Sequence, residues 1–254
     1  MNSSEDFIGL LDSGVGGLTV LHEAMQAMPD ENFLYYADRE HAPYGEKSKS
    51  KIRSLTLACV RSMESFGLKA LVVACNTATS AAVKELRAQY PFPIVGMEPA
   101  VKPAVSDDPG KRVLVLATPL TLREEKFRKL VSQVDPGGRV DCIGMPALVR
   151  LAEAGTFSGD QVVAYFDQQF AGLDWDQYST VVLGCTHFIF FRACLKRYLP
   201  THLAIIDGNE GTIRNLKKQV AGSNSSSVRL KFVDSDKTVD KFNFQVWLDF
   251  LEND

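Results

Sequence analysis

Apolar and polar positions alternate along this chain on two different periods. Short apolar runs of three to five residues recur between longer stretches whose apolar positions return every three or four residues. The short runs predict strands at Phe7–Leu11, Phe33–Ala37, Leu71–Ala74, Ile94–Met97, Val113–Ala117, Val140–Ile143, Val181–Leu183 and Leu203–Ile206. The longer stretches predict helices. One begins near Gly17 and stops before Pro29, and another covers Lys49–Phe66 with Ile52, Leu55, Cys59, Met63 and Phe66 on one face. A third follows Thr77 and ends at Tyr90-Pro91, because proline disfavours helix in the residue before it. Phe242–Leu251 reads as a closing helix that packs back on the first half. Strands and helices in alternation specify an α/β fold with mostly parallel sheets.

The pattern breaks once. Met97–Gly110 carries Pro99, Pro103 and Pro109 and reads as a crossing between two halves, after which the strand series restarts at Arg112. Each half has an apolar strand ending in a small residue and a cysteine, LVVACNTATS around Cys75 and TVVLGCTHF around Cys185. These cysteines stand 110 residues apart, the size of one small domain. The expectation is two similar α/β domains, the first formed by 1–98 plus 207–254 and the second by 99–206. Ser223–Ser227, the run SNSSS, reads as a loop.

Composition narrows the classes of function. The 254 residues are 45% hydrophobic and 23% charged, enough for a sizeable core without disulfides or metal. Lys and Arg number 28 against 31 acidic residues, so no basic excess exists to neutralise the phosphates of a nucleic acid. Apolar runs such as Leu71–Cys75 and Val113–Ala117 fall far short of the roughly 20 residues of a membrane span. The opening MNSSEDF lacks the basic and apolar regions of a secretory signal. Five cysteines, an odd number without C-x-x-C, disfavour a disulfide framework, a zinc ribbon or a redox pair. A reduced, cytoplasmic protein without metal is expected.

In open α/β sheets ligands collect beyond the carboxyl ends of the strands. The polar residues there are Asp12-Ser13-Gly14, Asp38, Cys75-Asn76-Thr77, Thr118 and Cys185-Thr186-His187. Cys59, Cys142 and Cys194 read as packing thiols, since cysteine usually behaves as a small hydrophobe. Cys75 differs because it precedes a helix, whose free N–H groups and dipole favour a thiolate. Cys185 differs because His187, two residues on, can modulate its protonation. The segment DSGVGGLT follows a strand and opens a helix, yet Thr19 occupies the place of the third glycine in G-x-G-x-x-G and no Walker lysine follows. It reads instead as a tight turn whose N–H groups receive a small anion such as a carboxylate, with Asp12 beside it. His22 and His202 read as surface or packing residues, and Tyr35-Tyr36 as strand packing. No Cys/His cluster has zinc-ligand spacing.

With these pieces in place, the chain resembles the glutamate racemases of the cofactor-independent aspartate/glutamate racemase family. The matching motifs are IGLLDSGVGGLTVL (Ile8–Leu21), YYADREHAPYGEKS (Tyr35–Ser48), VVACNTATSAA (Val72–Ala82) and VVLGCTHF (Val181–Phe188), supported by IDGNEGT (Ile206–Thr212). The resemblance implies an active site in the cleft between the two domains, with Cys75 and Cys185 facing the substrate Cα from opposite sides. It implies that Asp12, Ser13, Tyr44, Gly45, Asn76, Thr77, Thr186 and His187 contact or frame glutamate. Asp12, Asp38, Glu153 and His187 then assist the thiols, and no cofactor is needed. Such a protein would supply D-glutamate for peptidoglycan. Two departures stand out: Arg39-Glu40-His41, where the family commonly has small or uncharged residues, and Phe188-Ile189-Phe190 in place of Tyr-Pro-Leu. The run Phe188–Phe191 leaves room for a homodimer interface.

The chemistry of the residues agrees. Inverting an amino-acid centre requires a base on one face and an acid on the other, and two thiols can exchange these roles. A racemase for aspartate or another small acid, a non-catalytic amino-acid-binding regulatory protein and a thiol-redox protein are the alternative readings. Retention of chirality would mark the second, and a cycling Cys75–Cys185 disulfide the third.

Overall fold

The computed structural model describes residues 6–220, 228–235 and 243–253. Within them nine strands form two sheets in which every pairing is parallel. The first sheet holds β1 (Phe7–Asp12), β2 (Asn32–Ala37), β3 (Leu68–Val73), β4 (Ile94–Gly96) and β9 (Leu230–Asp234), in the order β4-β3-β1-β2-β9. The second holds β5 (Arg112–Ala117), β6 (Val140–Gly144), β7 (Tyr178–Leu183) and β8 (Ala204–Asp207), in the order β6-β5-β7-β8. Reversed, the second order is β8-β7-β5-β6, which repeats β4-β3-β1-β2. Both β1–β3 and β5–β7 also shift register at their first residue, between Phe7 and Ile8 and between Arg112 and Val113. The strands that deliver Cys75 and Cys185 are therefore topological equivalents.

The eight strands expected from sequence form, with ends displaced by one to three residues. β9 was not expected. The helices Leu18–Ala27, Lys49–Glu64 and Asn76–Gln89 match their periodic stretches, and Cys194 lies in the helix Arg192–Tyr198. The proline-rich crossing contains a helix of its own, Val101–Asp107. Pro103 sits at its third residue, within the first turn, where a missing N–H costs no helical hydrogen bond. A helix at Gln245–Asn253 fulfils the closing-helix expectation over its described part, while Phe242 and the Ser223–Ser227 run lie outside the described residues.

The central strands are buried on both faces, as parallel strands covered by helices must be. The largest apolar cluster runs from Ile8, Leu10 and Leu18 through Leu114 and Leu116 to Phe188 and Phe191, and so joins the two sheets. Separate clusters cover the outer faces, around Leu34, Ile52 and Val73 on the first sheet and around Val113, Val115 and Phe127 on the second.

Two expectations are corrected by burial. Cys142 is exposed on β6, because β6 is an edge strand of the second sheet. Phe188, Phe190 and Phe191 are buried in the chain's own core, where Phe190 stacks on Phe157 at 4.8 Å. These three rings are not available to a dimer interface.

Candidate active site

The carboxyl ends of β1, β2, β3, β5 and β7 supply the residues expected to carry chemistry. Cys75 ends the strand segment after β3 and caps the helix Asn76–Gln89, with its Sγ accepting from the Ala78 N–H at 3.4 Å. Ser13 Oγ lies 3.7 Å from the same sulfur. These contacts favour a thiolate, but they do not decide the outcome. Burial, then the nearby Asp12 charge, push the Cys75 thiol up to about 12, and the neighbouring Cys185 adds to the rise. Burial and Asp12 thus outweigh the helix terminus in setting the proton affinity of Cys75.

Cys185 follows β7 and Gly184 and opens the 3-10 segment Thr186–Phe191. Its Sγ is 3.8 Å from His187 Nδ1, and His187 Nε2 is 2.6 Å from Glu153 Oε1. Burial pulls the histidine down, but hydrogen bonds to Cys185 and Glu153 overcome it and hold His187 well above its usual range. Glu153 feels burial most strongly, yet the bond to His187 and its charge leave the carboxyl below the usual value. His187 thus bridges the two groups, one ring nitrogen at the Glu153 carboxyl and the other facing the Cys185 sulfur.

The glycine-rich turn after β1 receives this assembly. Glu153 Oε1 accepts from the Val15 N–H at 2.9 Å, so the turn does bind a carboxylate, one supplied by the chain itself. A Cβ on Gly14 would lie 1.7 Å from Glu153 Oε1, and one on Gly16 would lie 2.2 Å from His187 Nδ1. These glycines permit the close approach. Asp12 Oδ2 accepts from the Gly14 N–H at 2.8 Å, and the Tyr35 hydroxyl donates to the Gly14 carbonyl at 2.7 Å. Asp12 Oδ1 is buried without a hydrogen-bond partner among the described residues. Burial raises the Asp12 carboxyl above its ordinary range.

Asp38 follows β2, and its Oδ2 accepts from the Tyr44 hydroxyl at 2.6 Å. Both residues are buried. Gly45 packs beside Thr118, whose Oγ1 is 3.5 Å from Thr77 Oγ1 and 2.9 Å from Thr121 Oγ1. The Thr186 carbonyl lies 3.5 Å from the Thr19 hydroxyl. Asn76 is buried and borders a cavity of about 290 Å³ with Met97, Thr121 and Phe127. Glu153 borders a surface hollow of about 350 Å³ with Arg39, Pro43 and Arg150.

Three contributors escaped the sequence reading. Thr118 was singled out only as a strand-end residue; its place after β5, the counterpart of β1, was the signal that it faces Thr77. Tyr35 packs as expected but also holds the turn through its hydroxyl. His41 joins Asp38 through its ring Nδ1. Among the described residues, no group of three or more His, Cys, Asp or Glu side chains is arranged to hold a metal ion. No helix of the described residues is long and apolar enough to cross a membrane.

Comparison with known proteins agrees with this architecture. The glutamate racemase of Halothermothrix orenii is 48% identical over 250 residues, covering 96% of this chain and 98% of that protein. Glutamate racemase 2 of Bacillus subtilis is 47% identical over 219 residues, 85% of this chain and 83% of its own length. Among solved structures, Escherichia coli glutamate racemase in complex with L-glutamate and an activator superposes with a TM-score of 0.81 at 30% identity. That match covers 90% of this chain and 89% of the other. Residues 7–216 match the Asp/Glu/Hydantoin racemase family. The chain belongs to that family and is a racemase, one of the isomerases.

Proposed function

We propose that this racemase interconverts L- and D-glutamate by moving a proton on and off Cα between Cys75 and Cys185. One observation carries the reading: two buried cysteines delivered by equivalent strands lie close enough to influence each other electrostatically, Ser13 beside one sulfur and His187 beside the other. In one direction Cys185 takes the α-proton, with the His187–Glu153 pair stabilising the charge on that side. Cys75, as the thiol, gives a proton to the opposite face. In the reverse direction the roles exchange. The unpartnered Asp12 Oδ1 is an acceptor for the substrate ammonium. Ser13, Asn76, Thr77 and Thr186, with Tyr44 and Gly45, frame the carboxylates, and the N–H groups near Thr77 bear part of the carbanionic charge.

The same reading divides the chain into domains 1–98 plus 207–254 and 99–206 with the site between them. It places the enzyme in the cytoplasm as a source of D-glutamate for peptidoglycan. In deuterated water the purified enzyme should wash deuterium into Cα of either enantiomer. Cys75→Ala and Cys185→Ala should each lower racemisation by at least about a hundredfold. Full activity in either variant refutes the two-thiol assignment, and inertness toward glutamate with turnover of aspartate refutes the substrate.

A further inference from the structure

Arg39-Glu40-His41, the departure from the family pattern, forms a short 3-10 turn between β2 and Tyr44. Each of its residues is tied down. Arg39 Nη1 pairs with Asp234 Oδ2 of β9 at 2.7 Å, and the Glu40 N–H donates to the Ser235 hydroxyl at 3.2 Å. His41 turns back toward the sheet, with Nδ1 2.9 Å from Asp38 Oδ1. The other oxygen of the same carboxylate accepts from Tyr44 at 2.6 Å. Asp38 is buried, whereas the His41 side chain is one-third exposed at the rim.

Cys59 also lies within hydrogen-bond reach of this carboxylate, and each donor removed loosens rotation about its Cβ–Cγ bond. Held at both oxygens, the carboxylate presents the second oxygen at a fixed position. We propose that His41 is a positioning residue: by occupying Asp38 Oδ1 it orients the carboxylate that fixes the Tyr44 hydroxyl, and so sets the placement of the tyrosine against the substrate. Nδ1 can donate from the neutral ring and from the charged one, so the device needs no change in protonation. The turn itself is braced from behind by β9. Tyr44 is followed directly by Gly45, which rests on Thr118, so movement of the tyrosine is transmitted to the contact between the halves.

The inference rests on the glutamate-racemising reading and is tested with the full-length enzyme. Steady-state racemisation is measured for the wild type, His41→Leu, His41→Asn, Tyr44→Phe and His41→Leu combined with Tyr44→Phe. Loss of one hydrogen bond acting through binding should raise KM about fivefold in His41→Leu, with kcat within about twofold. His41→Asn, whose side-chain amide can donate, should return most of the loss. The double variant should resemble Tyr44→Phe alone, because the two groups act through one carboxylate. Wild-type KM in His41→Leu, no rescue by asparagine, or fully multiplicative effects in the double variant would each overturn the role of His41 while leaving the two-thiol reading intact. A wild-type protein that leaves glutamate unchanged overturns both.

Discussion

At the scale of single residues, environment decides more than identity does. Cys75 and Cys185 follow equivalent strands, yet Cys75 sits against Asp12, which together with burial raises its thiol, while Cys185 faces the His187 ring. The helix terminus that favours a thiolate at Cys75 is visible in a sequence, whereas its full burial beside a carboxylate is not. The His187–Glu153 pair has a definite consequence for stability. His187 is raised in the fold, so its contribution is complete below the ordinary histidine value of 6.5 and is lost as pH rises through its folded value. Glu153 is lowered, so its contribution is present above the ordinary 4.5 and is lost as pH falls through its folded value. The pair should therefore stabilise most between those two ordinary values. Denaturant unfolding across a pH series should show this maximum, and Glu153→Gln should flatten it.

Elements explain why the glycine-rich turn has its sequence. Its resemblance to a phosphate loop is superficial: two of its glycines are small because Glu153 and His187 press against them. Gly14→Ala would push aside the end of a flexible glutamate and not a backbone. Because that carboxylate holds both His187 and the Val15 N–H, the melting temperature should fall. Activity should fall about tenfold or more, the cost of losing a hydrogen bond to a charged group. Most elements were legible from apolar periodicity, since buried parallel strands leave continuous apolar runs. β9 was not, because Leu230–Asp234 is a half-buried edge strand with a lysine second and an aspartate last, and gives only a weak signal. Cys142 was misplaced for a related reason, as an edge strand can expose a residue type that is usually buried. Partners far apart in sequence, such as Thr77 with Thr118 and Arg39 with Asp234 of β9, were beyond any local pattern.

On the scale of the whole molecule, the chain passes from the first sheet to the second after β4 and returns after β8. The two passages touch at Gly208, where a Cβ would lie 2.3 Å from the Glu98 carbonyl oxygen. Backbone would have to give way there, so Gly208→Ala should lower stability by about 1–3 kcal/mol in denaturant titration. Gly211, three residues on in the helix Asn209–Gln219, has open space where its Cβ would go, and Gly211→Ala should instead add about 0.5–1 kcal/mol. Opposite signs from two alanines in neighbouring positions would locate the constraint at the crossing itself.

The return passage also orders the events of synthesis. The second sheet is written in one unbroken stretch, from Arg112 to Asp207, and can close as soon as that stretch leaves the ribosome. The first sheet cannot, since β2 stays an open edge until Leu230–Asp234 arrives beside it. A nascent chain stalled in between would carry a bare row of main-chain donors and acceptors along β2, a template for pairing with other unfinished chains. The half that begins first is thus the half that finishes last.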